Sequence, residues 1–183
     1  MLMRFNSAAC LLLLLAASVG ARAESDAPTA PIEIDVKSTI VSFTARVPQV
    51  ELSIPPGGLE TGQAAVLRFN FASIKTGNAT RDEDMIAWEE AARFPEVKFT
   101  LVTIERAPGQ QPIAHGRLLL HGVERPMSFP IAVEQDGPDI KIDGEATIDT
   151  RDFGLPIIKK LLVLKVDPVL RLHFHLRQTA AKL

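Results

Sequence analysis

Apolar and polar residues alternate along much of the chain, and a period of two is typical of β-strands. The alternation is clearest near the C-terminus, where Leu170, Leu172, Phe174 and Leu176 fall on one face. Charged residues and histidines occupy the positions between them, so the opposite face is expected to meet water. This stretch therefore predicts a strand that is buried on one side.

The same pattern recurs in about eight segments, which are mostly joined by short turns such as Asp136-Gly137. Helices do not alternate with these segments, and this excludes parallel βαβ units. Eight antiparallel strands with one apolar face can close into a barrel or stack as a sandwich. The patterning alone predicts an all-β domain and leaves those two architectures open.

One segment, residues 76–99, departs from the period of two and predicts the single helix of the chain. Thr80 followed by Glu83 has the spacing of a capping box. Pro95 marks the expected end of the helical segment.

The predicted helix carries Met85, Trp88 and Ala92 on one face at helical spacing. Two roles fit a short helix in a β chain. It is either a lid over one end of a barrel or a plug that completes a core.

The N-terminal residues have the pattern of a secretory signal peptide. Arg4 precedes an apolar run over residues 8–19, and Ala21-Arg22-Ala23 is a small-residue cleavage sequence. We expect cleavage after Ala23, a flexible mature N-terminus over residues 24–31 and one domain over residues 32–183. A bacterial periplasm is the expected location. The apolar run is too short to span a bilayer, so no transmembrane span is expected in the mature chain.

Composition removes several classes of function. The single cysteine, Cys10, lies in the predicted signal peptide, so the mature chain is expected to have neither disulfides nor thiol chemistry. The formal net charge is −2 and no basic stripe is present, which argues against nucleic acid as a partner. A homodimer is left open by the sequence.

Catalytic signatures are missing from the sequence. It contains neither a nucleophile elbow nor a phosphate-binding glycine loop, so no enzyme activity and no cofactor are expected. The alternative, a hydrolase or isomerase of the same shape, would need polar residues such as Asp82, His115 and His121 to converge inside the barrel.

A pair of histidines on the last strand raises the question of a metal site. His173 and His175 are two residues apart and therefore share a face, where two imidazoles can bind a transition metal. Arg171 and Arg177 share that face and oppose a cation, so an exposed barrel exterior is the interpretation that we favour and no metal site is expected.

Phenylalanine is concentrated on the apolar side of the predicted strands, together with many aliphatic residues. If the strands enclose a lumen, its predicted lining residues are Phe43, Phe69, Phe71, Phe99, Leu101, Phe129 and Phe174. Met85 and Trp88 would then close one end as a lid. Periodicity does not separate such a lumen from an ordinary packed core.

Three stretches in order, SIKTGN (73–78), GRLLLHGVERP (116–126) and GEATIDTRDFG (144–154), resemble the YceI family of periplasmic lipocalin-like proteins. The similarity extends over essentially the whole predicted mature chain. It implies an eight-stranded antiparallel lipocalin-like barrel with a short helical insertion. It also implies an apolar lumen that in relatives binds a polyisoprenoid or similar long-chain lipid, and it establishes no enzymatic activity.

The interpretation that we favour is a periplasmic protein that holds an isoprenoid or similar long-chain lipid in the barrel lumen. The rival to it is a structural or stress-response barrel with a solid core and no ligand. The sequence departs from common members of the family within the lid, where Asp84 replaces a frequent histidine.

Overall fold

The computed structural model describes residues 30–55, 59, 64–137, 139–160 and 163–179. The predicted signal peptide and its cleavage site lie outside these residues. The strands are β1 (Ile32–Val36), β2 (Phe43–Val47), β3 (Glu51–Ser53), β4 (Val66–Asn70), β5 (Glu96–Glu105), β6 (Ile113–Leu120), β7 (Val123–Asp136), β8 (Asp139–Asp149), β9 (Lys159–Lys160), β10 (Leu164–Lys165) and β11 (Val169–Thr179). One α-helix, α1 (Ala79–Trp88), lies between β4 and β5, and two 3-10 turns span Phe71–Ser73 and Thr150–Phe153.

Nine strands form a single curled antiparallel sheet in the order β2-β1-β11-β8-β7-β6-β5-β4-β3, and β9 and β10 form a separate hairpin. The predicted antiparallel barrel with a helical insertion is confirmed, with nine strands in place of eight. The segment that precedes Phe43 accounts for part of the difference, because β1 and β2 are separate strands paired through Val36 and Phe43. β11 begins directly after Pro168, because proline has no N–H to donate to a strand ladder.

The two edge strands of the sheet, β2 and β3, do not pair with each other in the part of the chain that the structure describes. A single bridge instead connects β2 to the segment that follows β4. The N–H of Arg46 donates to the Lys75 carbonyl at 2.7 Å, and the Lys75 N–H donates back to the Arg46 carbonyl at 2.8 Å. The sheet therefore curls into a barrel with an incomplete seam.

Alternation along the strands directs the apolar residues inward. Buried members of this core include Ile32, Ile34, Val47, Leu118, Ile131 and Phe174. A β-bulge in β5 shifts the register between Leu101 and Thr103, so that both Val102 and Thr103 are exposed before Ile104 packs against the core again. Leu101 precedes the shift and keeps the inward orientation that the alternation predicts.

The helix begins two residues earlier than a capping box at Thr80 predicts. Asn78 is the N-cap, and its side-chain oxygen accepts a hydrogen bond from the N–H of Arg81 at 3.0 Å. The helix also ends at Trp88, so the residues after it follow a turn and not a helical face. For this reason Ala91 is buried and Ala92, predicted on the apolar face, is exposed.

The folded domain begins at least two residues before its predicted boundary. Ala30 is buried, and the Pro31 carbonyl accepts a hydrogen bond from the N–H of His175 at 2.9 Å. These two residues of the segment predicted to be flexible are therefore part of the sheet environment. Within the described ranges, no helix is both long enough and apolar enough to cross a bilayer.

Candidate functional site

The interior of the barrel contains a cavity of about 180 Å³. All but one of its lining residues are apolar, the exception being Thr150, which is 3% exposed. Eight residues predicted from the sequence line it: Phe69, Phe71, Phe99, Leu101, Phe129, Phe174, Met85 and Trp88. A solid core would lack this space, so the interior has the geometry of a lumen.

Phe43 is the one predicted lining residue that does not border the cavity. It is the first residue of β2 and is half-buried against the core, with the guanidinium of Arg81 3.8 Å above its ring centre. This cation–π contact ties the start of β2 to the helix. Phe43 therefore belongs to the rim beneath the helix and not to the lumen lining.

Three aromatic rings cross the lumen in sequence. The centroids of Phe99 and Phe129 lie 5.2 Å apart, and those of Phe129 and Phe174 lie 5.3 Å apart. Each outer ring covers a glycine on a neighbouring strand, Phe99 over Gly116 and Phe174 over Gly144. A Cβ atom at either glycine would fall 2.3 Å from the ring above it, so only glycine leaves room for this arrangement.

Gly144→Ala is expected to reduce stability by about 2 kcal/mol, since an added methyl group at a tightly packed position costs about 1–3 kcal/mol. The added methyl group would meet both the Phe174 ring and the Pro130 carbonyl oxygen, the latter at 2.8 Å. Chemical denaturation followed by Trp88 fluorescence measures the change. The double variant Gly144→Ala/Phe174→Leu should recover part of the loss, and strictly additive effects would contradict this cause.

The helix lies against the lumen through Met85 and Trp88, and it is attached at both ends. Near its start, one carboxylate oxygen of Asp82 accepts hydrogen bonds from the N–H and the hydroxyl of Thr76, at 2.9 and 2.6 Å. At its end, the indole N–H of Trp88 donates to the Pro156 carbonyl at 2.8 Å. A lid, with the lumen beneath it, describes this placement better than a plug.

The residue after the helix, Glu89, is an acid that the sequence did not single out. Its side chain is fully buried, and neither carboxylate oxygen has a hydrogen-bond partner among the described residues. Burial raises the pKa of Glu89 from 4.5 to about 7. The main-chain N–H of His121, which lies near the carboxylate without the geometry of a hydrogen bond, opposes this rise, and the charge of Glu90 reinforces it. The glutamate follows apolar helix residues, and only the tertiary fold reveals its burial.

The imidazole ring of His121 lies against Glu89. Its ring Nδ1 lies 2.9 Å from the Glu89 carbonyl oxygen and 3.8 Å from a Glu89 carboxylate oxygen. The ring of Phe94 stacks on the imidazole with a centroid distance of 4.5 Å. The last turn of the lid is therefore fixed to the β6–β7 turn by one polar and one aromatic contact.

The polar residues that an enzyme of this shape would bring together do not converge in the lumen. Asp82 binds Thr76, and His121 lies behind the lid. His115 lies outside the barrel, where its Nδ1 is 2.7 Å from the Ser128 hydroxyl and its Nε2 is 3.0 Å from a Glu105 carboxylate oxygen. This chain of groups crosses three strands, so local sequence patterns could not predict it. These three side chains lie on the outer face of the sheet, where the surrounding backbone N–H groups are used in the pairing of β5, β6 and β7.

The two histidines of β11 also face outward and pair with carboxylates. The Nε2 of His173 lies 3.2 Å from Asp35, and the Nδ1 of His175 lies 2.6 Å from Asp143. Within the described ranges, no three His, Cys, Asp or Glu side chains are grouped so that they could hold a metal ion.

Comparison with known structures supports the barrel fold. The structure of BcnA from Burkholderia cenocepacia matches with a TM-score of 0.66 and 21% identity, covering 84% of this chain and 100% of that one. A polyisoprenoid binding domain from Saccharophagus degradans matches with a TM-score of 0.66 and 20% identity, covering 83% and 95%. The YceI protein of Campylobacter jejuni gives a TM-score of 0.63 and 18% identity, covering 78% and 88%. At this identity the likeness concerns the fold.

Sequence comparison gives a weaker match to a curated relative and a broad match to a family. A UPF0312 protein of Pseudomonas syringae pv. tomato is 27% identical over 92 residues. That match covers 46% of this chain, and the chain spans about half the length, 48%, of the relative. Residues 24–177 match the YceI-like domain over most of the chain. On this match, and with the curled antiparallel sheet described above, the chain belongs to the YceI-like domain family.

Proposed function

We propose that the protein is an exported binding protein that holds an isoprenoid-type, long-chain lipid in the barrel lumen. The observation that carries the proposal is the lumen itself, an interior cavity whose lining contains a single polar residue. Water gains few hydrogen bonds in such a space, and apolar cavities of similar size stay dry. The similarity in fold to a polyisoprenoid binding domain supports the same ligand class.

Burial of hydrocarbon is sufficient to explain affinity for such a ligand. Each CH₂ group that moves from water into an apolar lining contributes about 0.8 kcal/mol. A chain of several isoprene units therefore needs few polar contacts, and the lumen offers few. Catalysis is not part of the proposal, because the titratable groups described above lie behind the lid or outside the barrel.

The size of the cavity adds a condition. Sites for small molecules usually enclose about 300–1,000 Å³, whereas this cavity measures about 180 Å³. A long chain therefore has to displace the lid or the lining side chains as it enters. Because Met85 and Trp88 border the cavity from the helix, displacement of the lid should be visible at Trp88, the only tryptophan.

Binding of geranylgeraniol, a neutral isoprenoid alcohol, tests the proposal. We expect a one-to-one complex in native mass spectrometry and a change in Trp88 fluorescence on titration. Absence of a complex, together with absence of any co-purified lipid, would refute lipid binding. A complex that forms without any change at Trp88 would contradict the role of the helix as a lid.

Neighbouring residues in β5 supply a matched pair of variants. Leu101→Gln places an amide in the lumen without a partner and is expected to weaken binding about tenfold, since an unpaired buried polar group costs about 1–3 kcal/mol. Val102→Gln, one residue later on the exterior at the bulge, is expected to leave affinity unchanged. Equal effects of the two variants would place the ligand outside the lumen.

A further inference from the structure

Three exposed aliphatic side chains lie together at the lid end of the barrel. Ile40 is 61% exposed, Val41 56% and Val163 65%, and they make up most of the large apolar side chains that the structure exposes in its described residues. Val41 comes two residues before Phe43, the spacing of residues on one face of a strand, but it lies in the loop before β2. We call residues 37–41, 159 and 163–165 the tip.

The backbone of the tip is held in one conformation by hydrogen bonds that join its two segments. The Thr39 N–H donates to the Lys165 carbonyl at 3.0 Å, and the Thr39 hydroxyl donates to the Val163 carbonyl at 2.7 Å. The Ser38 hydroxyl oxygen accepts from the N–H of Val41 at 3.1 Å. The exposed aliphatic residues therefore lie in a turn whose backbone is hydrogen-bonded.

Three lysines belong to the same segments as these aliphatic side chains. Lys37, Lys159 and Lys165 are all exposed residues of the tip. Two acids, Asp35 and Asp167, come two residues before and two residues after the tip. Asp167 accepts the N–H of Val169 at 2.9 Å, and Asp35 lies 3.2 Å from the Nε2 of His173. Lysines around protruding aliphatic residues are the composition of a surface that meets anionic lipid headgroups.

We propose that the tip docks the protein on an anionic lipid bilayer, with Ile40, Val41 and Val163 entering the interface and the lysines contacting the headgroups. Three protruding aliphatic residues cover far less than the roughly 800 Å² per partner of a standard protein interface. A bilayer has no such requirement, because each apolar side chain inserts separately. Docking at the tip does not depend on the lumen ligand.

The position of the tip relates it to the lid. Pro156, whose carbonyl accepts the Trp88 indole N–H, comes three residues before Lys159. Phe43, whose ring is covered by the guanidinium of Arg81 from the lid helix, comes two residues after Val41. A bilayer bound at the tip would therefore lie beside the end of the lumen that the lid covers.

Vesicle flotation with the full-length mature protein tests docking separately from lipid binding in the lumen. We expect binding to vesicles of phosphatidylcholine mixed with phosphatidylglycerol, little binding to phosphatidylcholine alone, and weakening by salt. Lys159→Ala should lower the partition coefficient about fivefold, whereas Lys98→Ala, on β5, should leave it unchanged. Ile40→Asn/Val163→Asn should abolish binding, and Val102→Asn serves as its matched control.

Every substituted side chain is at least partly exposed, so the variants should keep the melting temperature of the parent protein. Equal binding to neutral and anionic vesicles would overturn the proposal, as would tip variants that bind like their controls. A dimer in sedimentation that Ile40→Asn/Val163→Asn dissociates would also overturn it, because the tip would then bind a second copy. Geranylgeraniol binding, measured without vesicles, should be the same for tip variants and parent.

Discussion

Glu89→Gln is expected to stabilise the protein at pH 8 and to leave its stability at pH 4 nearly unchanged. The folded protein holds the Glu89 proton more tightly than the unfolded chain, because burial raises the pKa from 4.5 to about 7. The stability that this tighter binding contributes is complete below pH 4.5 and is lost as pH rises through 7. The difference amounts to about 3 kcal/mol at 1.36 kcal/mol per pKa unit.

Glutamine matches the protonated acid in shape and carries no charge at any pH. The variant should therefore lack the decline that the parent protein shows between pH 5 and pH 8, the interval that contains the raised pKa. Urea denaturation at a series of pH values, followed by Trp88 fluorescence, measures both curves. Glu90→Gln is the control, because Glu90 is exposed and its charge is the smallest of the causes that set the pKa of Glu89; it should keep most of the decline. Parallel curves for the parent and Glu89→Gln would show that the buried carboxyl is not the titrating group.

Phe129→Ala is expected to destabilise the ligand-free protein by about 3 kcal/mol, since removal of a core phenylalanine costs about 3–5 kcal/mol when burial is complete. The ring is half-buried and contacts both Phe99 and Phe174, so its loss removes the middle of the aromatic array. The same change enlarges the cavity. An isoprenoid that fills the new space should therefore restore more stability to the variant than to the parent protein.

Phe43→Ala provides the comparison, because Phe43 is also a half-buried phenylalanine but does not border the cavity. It should lower stability through loss of packing and of the Arg81 contact, and added geranylgeraniol should stabilise it no more than the parent. Thermal unfolding with and without geranylgeraniol measures all three proteins. If the ligand rescues both variants equally, the space left by Phe129 is not where it binds.

Most residues that line the lumen could be predicted from the sequence, because the alternation of side chains along a strand depends on its own backbone and not on the neighbouring strands. Phe69, Phe99 and Phe174 all point inward for this reason, and the bulge at Val102 comes too late in β5 to disturb Leu101. The glycines opposite the rings are visible in the sequence, within the family stretches. Their role depends on cross-strand register, which a single strand does not encode.

The incorrect predictions concern places where a local contact overrides the period. Val41 has the spacing of an inward residue of β2, but it lies outside the strand, where the Ser38 hydroxyl oxygen accepts its N–H in a turn. Asn78 caps the helix in place of Thr80, since both are good N-caps and only the path of the chain selects one. The burial of Glu89 is not visible in the sequence, because a glutamate at the end of a helix is ordinarily solvated. It depends instead on His121, more than thirty positions away.

The bridge between Arg46 and Lys75 has a consequence for the range of ligands that one scaffold can accept. When complete strand pairing closes a barrel, the number of strands and their stagger fix its internal diameter. Within the described residues, the two edge strands are joined by residues 48–50 of the chain, and β2 is otherwise held to the segment after β4 by two backbone hydrogen bonds. The seam between β2 and the Lys75 segment can therefore widen at the expense of those two bonds while all strand pairing in the sheet is kept. On the proposed function, ligands of different width would therefore be accommodated beside this bridge, while the apolar lining stays the same.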